Sequence, residues 1–222
     1  VATVEQAYIR YKAKVEKNIK NDDITTDRGR FVLMFNESQN KFQEIHLQNR
    51  KSDDVRYVEK FLVPDKKIST STVSYDRQDF SLPEKYFDLS SIRIFASKGK
   101  CKEVELEYKY ELNSENSEEI LFDEYNKPSF KWREAPYRVN SNKLSVYNGK
   151  DFKVDYILMT YYRYPNQIQL IDPDNPESQF NENIQIEWDN KSLDRILSIC
   201  AGESDMNENN PRFQLQQART QK

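Results

Sequence analysis

The chain has 222 residues, a formal net charge of −3, and 36% hydrophobic residues even with tyrosine counted. This length allows one large domain or two small ones, but the aliphatic core is thin, and a mildly acidic chain has no global pull towards nucleic acid. One His and four Gly argue against a histidine-ligated metal centre and a glycine-rich phosphate loop.

The N-terminal region reads as helical. Thr3 and Gln6 have the spacing of a capping box. Val4, Tyr8, Tyr11, Val15 and Ile19 follow as one apolar stripe, and Arg10, Lys12, Lys14, Lys17 and Lys20 form a solvated basic face. Asp22 to Thr26 breaks this helix. A second begins near Asp27, with Phe31, Met34, Phe35, Phe42 and Ile45 on a related face and a weak stretch at Asn36 to Asn40. His46, alone in a Gln-rich segment, is expected at the surface. Ser52 caps a third short helix bearing Val55, Val58 and Leu62, stopped by Pro64.

From Lys66 the apolar period changes to two. Ile68 to Tyr75 reads as extended, Ile92, Ile94 and Ala96 alternate, and Lys98-Gly99 offers a turn. Val104, Leu106, Tyr108, Tyr110 and Leu112 form one strand face, with Glu103, Glu105, Glu107, Lys109 and Glu111 on the other. That second face is expected to be solvated or to meet a basic partner. Asn113 to Lys127 is polar, with a short helix expected from Ser117. Leu144 to Tyr147, Asn148-Gly149 and Phe152 to Tyr164 predict a hairpin with a type I′ turn. The long strand is apolar on both faces, which makes it a central strand or puts one face, with Tyr161, between subunits.

Pro165 ends that strand and Asp172 to Pro176 is a turn cluster. Ile184, Ile186 and Trp188 predict a brief strand. Leu193, Ile196, Leu197 and Cys200 predict a helix that starts at Asp189 or Ser192 and stops at Gly202. Asn210-Pro211 is a candidate start for one more short helix. Cys101 and Cys200 lie far apart in sequence and read as two reduced thiols of a cytosolically made protein. No stretch approaches about 18 apolar residues and no apolar run opens the chain, so neither a membrane span nor a signal peptide is expected.

The expected fold class is therefore α+β: N-terminal helices over 1–64, a β-rich antiparallel middle over 65–188 packed on them, a helix over 189–202 and an extended arm over 203–222. Few residues of the arm are apolar, so it is expected to order only against a partner, with Arg212, Phe213, Leu215 and Arg219 as contacts. With 14 Tyr and 12 Phe over few aliphatics, the composition favours an interacting protein over an enzyme. No catalytic residue, metal or cofactor is expected.

Three segments carry a resemblance: Asp27 to Phe42, Tyr125 to Tyr137 running on to Tyr161-Tyr-Arg-Tyr-Pro165, and Asn210 to Arg219. They resemble structural virion proteins of crAss-like phages that infect gut Bacteroidetes, in particular ring proteins beneath the portal in the short tail. The plan is also similar to head–tail adaptor or collar proteins of other short-tailed phages. The resemblance implies a virion location at the head–tail junction, assembly in the host cytoplasm and a homo-oligomeric ring of twelve copies. It further implies contact with the portal or a neighbouring tail ring, and DNA passage through the lumen. The alternative is a carbohydrate- or host-receptor-binding β-domain of a virion, which would use exposed Tyr and Trp.

Overall fold

The computed structural model describes residues 2–18, 27–48, 53–111, 121 and 127–204. Within them the protein is α+β, with three helices and an eight-stranded mixed sheet. The chain divides into two compact units, Val1–Lys60 with Pro165–Lys222, and Phe61–Tyr164.

In the first unit, helices α1 (Val4–Asn18) and α2 (Arg28–Gln48) both pack on α3 (Asn190–Ser204). The capping box forms: the Thr3 N–H donates to Gln6 Oε1 at 3.1 Å and the Gln6 N–H to Thr3 Oγ1 at 3.2 Å. Asp27 caps α2 through the Arg30 N–H at 2.6 Å, and Asp189 caps α3 through the N–H groups of Lys191 and Ser192. The predicted stripes are buried at Val4, Tyr8, Tyr11 and Val15, and at Leu193, Ile196, Leu197 and Cys200. Ile19 and the break at Asp22 to Thr26 lie outside the described residues. The stop at Gly202 is corrected, because α3 runs through it to Ser204.

Helix α2 is continuous through Asn36 to Asn40, and its inner face differs from the expected one. Buried positions are Phe31, Phe35, Ser38, Gln39, Phe42, Gln43, His46 and Leu47, a stripe of helical period filled at four places by polar side chains. Ile45 falls off this stripe and is exposed, as is Leu33. His46 is not a surface residue: it is 8% exposed, its Nδ1 lies 2.8 Å from the Phe42 carbonyl, and its ring packs on Phe42 and Tyr57.

The polar stripe meets the segment that follows residue 165. Asn36 brackets Ile168, donating from Nδ2 to its carbonyl and accepting its N–H at Oδ1, both at 3.0 Å. Gln39 donates to Asn36 Oδ1 at 3.1 Å and to the Asn166 carbonyl at 3.3 Å, and accepts the Trp188 indole N–H at 3.1 Å. Ile184 to Trp188 is not a strand. Ile186 and Trp188 are buried, and the Glu187 carbonyl accepts from Lys60 Nζ at 2.6 Å, so side chains replace ladder partners. The expected turn at Asp172 to Pro176 is present, with the Asn175 N–H donating to the Asp172 carbonyl.

The strands of the second unit are β1 (Leu62–Ser69), β2 (Thr72–Val73), β3 (Arg77–Ser81), β4 (Tyr86–Lys98), β5 (Cys101–Glu111), β6 (Glu134–Val139), β7 (Lys143–Tyr147) and β8 (Lys153–Arg163). Their order is β1-β8-β4-β5-β6-β7-β3-β2. Every ladder is antiparallel except β5–β6, so the middle is mixed rather than wholly antiparallel. Strands β3 and β6 were not expected from the sequence pattern.

Two further expectations change. The third helix is a pair of 3-10 turns, Asp53–Tyr57 and Glu59–Phe61, and Leu62 already belongs to β1. Pro64 sits inside β1, an edge strand, where the register shifts between Val63 and Lys66 and Asp65 has φ 47°. A proline without an N–H is tolerated at such a bulged edge. The Asn148-Gly149 hairpin does not form either. Strand β7 pairs with β3 and β6, and β8 with β1 and β4. A tight turn exists one residue later than expected, with Gly149 and Lys150 at φ 52° and 66° and the Asp151 N–H donating to the Asn148 carbonyl at 2.9 Å. The Asn148 and Gly149 N–H groups donate to the Asp76 carbonyl at 2.9 and 3.1 Å. Both strands already have two neighbours, so the turn hands the chain from one end of the sheet order to the other.

The sheet curls, and Gln78 joins its ends. Val154 lies past the last β1 partner, which pairs Ser69 with Tyr156. Gln78, 1% exposed on β3, accepts the Val154 N–H at 2.5 Å and donates to its carbonyl at 2.8 Å. Its side-chain amide thus takes the place of a missing strand residue. Beneath lies a cluster that includes Phe80, Ile94, Leu106, Leu144, Ile157 and Met159, all buried. Each such side chain contributes about 1.5–3 kcal/mol of burial.

Candidate functional site

Four turns gather at one end of the sheet unit: residues 74–77, 98–101, 127–133 and 148–152. Asp151 organises them. Its carboxylate accepts from Lys98 Nζ on the β4–β5 turn and from the Phe130 N–H at 2.8 Å. Burial pushes this carboxyl up, but the bonds from Lys98 and Phe130 and the charges of Lys98 and Lys127 outweigh it and hold it below the usual range. The bonds from Asn148 and Gly149 to Asp76 tie in the fourth turn. Gly149 also lies against Pro128, so a side chain there would be in contact with the 127–133 loop and strained at its positive φ.

Two of the turns hold an aromatic side chain outward. Residues 129–134 close on themselves, the Ser129 N–H donating to the Glu134 carbonyl at 3.0 Å and the Glu134 N–H to the Ser129 carbonyl at 2.9 Å. Phe130 packs inward on Phe152, and the Arg133 carbonyl accepts the Glu107 N–H at 2.6 Å. Anchored on both sides, the turn leaves Trp132 70% exposed. Tyr75 is 77% exposed on the turn closed by the Ser74 N–H and the Arg77 carbonyl. Lys150 Nζ lies 3.4 Å from the Tyr75 ring centroid and Lys131 Nζ 5.2 Å from that of Trp132.

The charge here opposes that of the chain. The four turns carry Arg77, Lys98, Lys100, Lys127, Lys131, Arg133 and Lys150 against Asp76 and Asp151, while the whole protein is −3. Deeper, on the neighbouring strands, Asp79 accepts from Ser145 Oγ and Lys143 Nζ, each at 2.7 Å. Burial raises its carboxyl, and these bonds with the charges of Lys143 and Arg77 bring it below the usual range. Asp79 is structural, braced across β3 and β7. The site is thus a firm basic rim with two flat apolar platforms, able to hold an anionic molecule by charge and stacking.

The sequence-derived contact residues fall elsewhere. Tyr161 is buried, 6% exposed, in the sheet core beside Tyr86, and burial pushes its hydroxyl above the usual range against the opposing charge of Arg163. Arg212, Phe213, Leu215 and Arg219 lie outside the described residues, as do the arm, the Asn210-Pro211 helix start and the helix start at Ser117. The acidic face of β5 is exposed at Glu103, Glu105 and Glu107. Cys101 is exposed and Cys200 buried, both as free thiols. The turn end itself was missed by the sequence reading. Its available signal was the recurrence of Lys or Arg beside turn formers, Lys98-Gly99-Lys100, Lys131-Trp132-Arg133 and Gly149-Lys150.

Among the described residues, no group of three or more His, Cys, Asp and Glu side chains is placed to hold a metal ion, and no helix is long and apolar enough to cross a membrane. No protein-family model matches the chain, and no curated protein is significantly similar to it.

Proposed function

We propose that this chain is a non-catalytic structural subunit of a phage virion, one copy in an oligomeric ring of the head–tail connector beneath the portal. The reading starts from the three resembling segments, which imply twelve copies and contact with the portal or a neighbouring tail ring. The observation that carries it is the mixed pattern of α2, whose buried stripe is half polar while two aliphatics lie outside it. Ser38, Gln39 and Gln43 face inward while Leu33, 68% exposed, and Ile45, 41% exposed, face outward. Ile9 and Ile171 are exposed on the same unit, and subunit contacts would cover such aliphatics. Head-to-tail contacts of this kind close into a ring when the rotation between copies closes.

Imaging of purified virions tests the proposal. The chain should appear as a closed ring at the head–tail junction, and native mass measurement of the extracted connector should give a fixed multiple of the subunit. Absence from virions, or presence there only as isolated monomers, overturns it. Trp132 and Tyr75 favour the second reading, a carbohydrate- or host-receptor-binding domain. A monomer that binds a glycan through those two residues would decide for it.

A further inference from the structure

We infer that the turn end of the sheet unit binds single-stranded nucleic acid. This goes beyond ring assembly and does not depend on it. The two features such a ligand needs are present together. Its phosphates need cations, and Lys100, Lys127, Lys131, Arg133 and Lys150 are all exposed on three of the gathered turns. Its unpaired bases need flat apolar platforms, and Trp132 and Tyr75 stand outward at turn tips.

Other ligand classes fit less well. Most of the cations are Lys, which is depleted in protein–protein interfaces, so an acidic protein surface is a poorer match. Neutral glycans are held through acceptors for their hydroxyl groups. Of the two carboxylates here, Asp151 is already committed to Lys98 and Phe130. Duplex DNA offers phosphates but keeps its bases stacked, leaving Trp132 and Tyr75 without a role. Distant acidic residues do not oppose local binding, because charges beyond about 8 Å are largely screened at physiological salt. Glu103 and Glu107 of β5 and Glu134, by contrast, border the turns and reduce their excess of positive charge.

The test is fluorescence anisotropy of the full chain with a labelled oligothymidine 20-mer. An unlabelled duplex of the same length and a uronic-acid polysaccharide serve as competitors. The single strand should bind with an affinity that falls steeply with salt, a log–log slope near about −3 if roughly four phosphates are neutralised. Replacing Trp132→Ala and Tyr75→Ala together should weaken binding at least tenfold without lowering the melting temperature. The four-site variant Lys100→Gln, Lys127→Gln, Lys131→Gln and Lys150→Gln should flatten the salt slope. Lys98 is left in place because it holds Asp151. No binding at 50 mM salt, tighter binding of the duplex or the polysaccharide, or indifference to the aromatic double variant would each overturn the inference.

Discussion

The two units place polar side chains in their interiors for different reasons. In the sheet unit, strands pair in ladders over an apolar core cluster, and a buried amide, Gln78, appears where the β1 ladder ends at Val154. In the helical unit, the segment from Asn166 to Trp188 has only the isolated Leu170–Phe180 bridge, yet Ile168, Ile186 and Trp188 are buried. Turn and bridge bonds satisfy part of its backbone, and Asn36, Gln39 and Lys60 satisfy the groups of Ile168, Asn166 and Glu187. Asn36, Gln39 and Gln78 mark places where regular pairing stops, because an unpaired buried peptide group costs more than the side chain that meets it.

That contrast can be broken most severely from the apolar side. Tyr161→Glu sets a carboxylate among Tyr86 and the core cluster, and the unit should lose more than about 4 kcal/mol or fail to fold. Denaturant unfolding measures this. A stable, soluble variant with unchanged melting would place Tyr161 at a surface.

A smaller pair of changes sharpens it. Asn36→Ala strips both partners from the buried Ile168 peptide, and Gln78→Leu does the same to Val154. Each should cost about 2–4 kcal/mol despite residing in different units, since the lost pairs are the same. If Gln78→Leu proves neutral, the amide is not what holds the sheet ends together.

The smallest effect is acid sensitivity. Asp79, Asp151 and Asp189 have folded pKa values below the unfolded ones, net of the burial that opposes the shift. Their contribution is complete above about pH 4 and is lost as pH falls through the folded values. The melting temperature should therefore drop below about pH 4, and Asp79→Asn should lessen the drop. An identical pH profile for that variant would remove Asp79 from the account.

Local chemistry was legible in the sequence, and long-range pairing was not. The Thr3–Gln6 box, the Val4 to Val15 stripe, the Leu193 to Cys200 stripe and the exposed Glu face of β5 each depend on neighbours within a few residues. Asn148-Gly149 announced a turn, which forms one residue later at Gly149-Lys150, but which strands flank it depends on β3 and β4, far away in sequence. His46 and Gln39 look like surface residues until Trp188 and Tyr57 arrive on the same side. Pro64 reads as a stop because the pattern does not reveal that β1 is an edge. The turn end drew on four separate segments, so no single window showed its charge.

One consequence of the sheet order concerns time. Strand β8 pairs with β1 across about a hundred residues, Leu62 with Tyr162, and with β4 across a shorter span, from Ser97 with Lys153 to Tyr86 with Arg163. Chain closure of that length is slow, because loop entropy is lost before the contacts that offset it are made. During synthesis the β4–β5 ribbon is the early product, since its strands meet over the short Lys98–Cys101 turn. Until Lys153 to Arg163 emerges, β4 has an open flank and Ile92 and Ile94 lack their partners Met159 and Ile157. Chains that stall or are cut before that point are the ones expected to aggregate, and a chaperone's hold on the nascent protein should end once β8 docks.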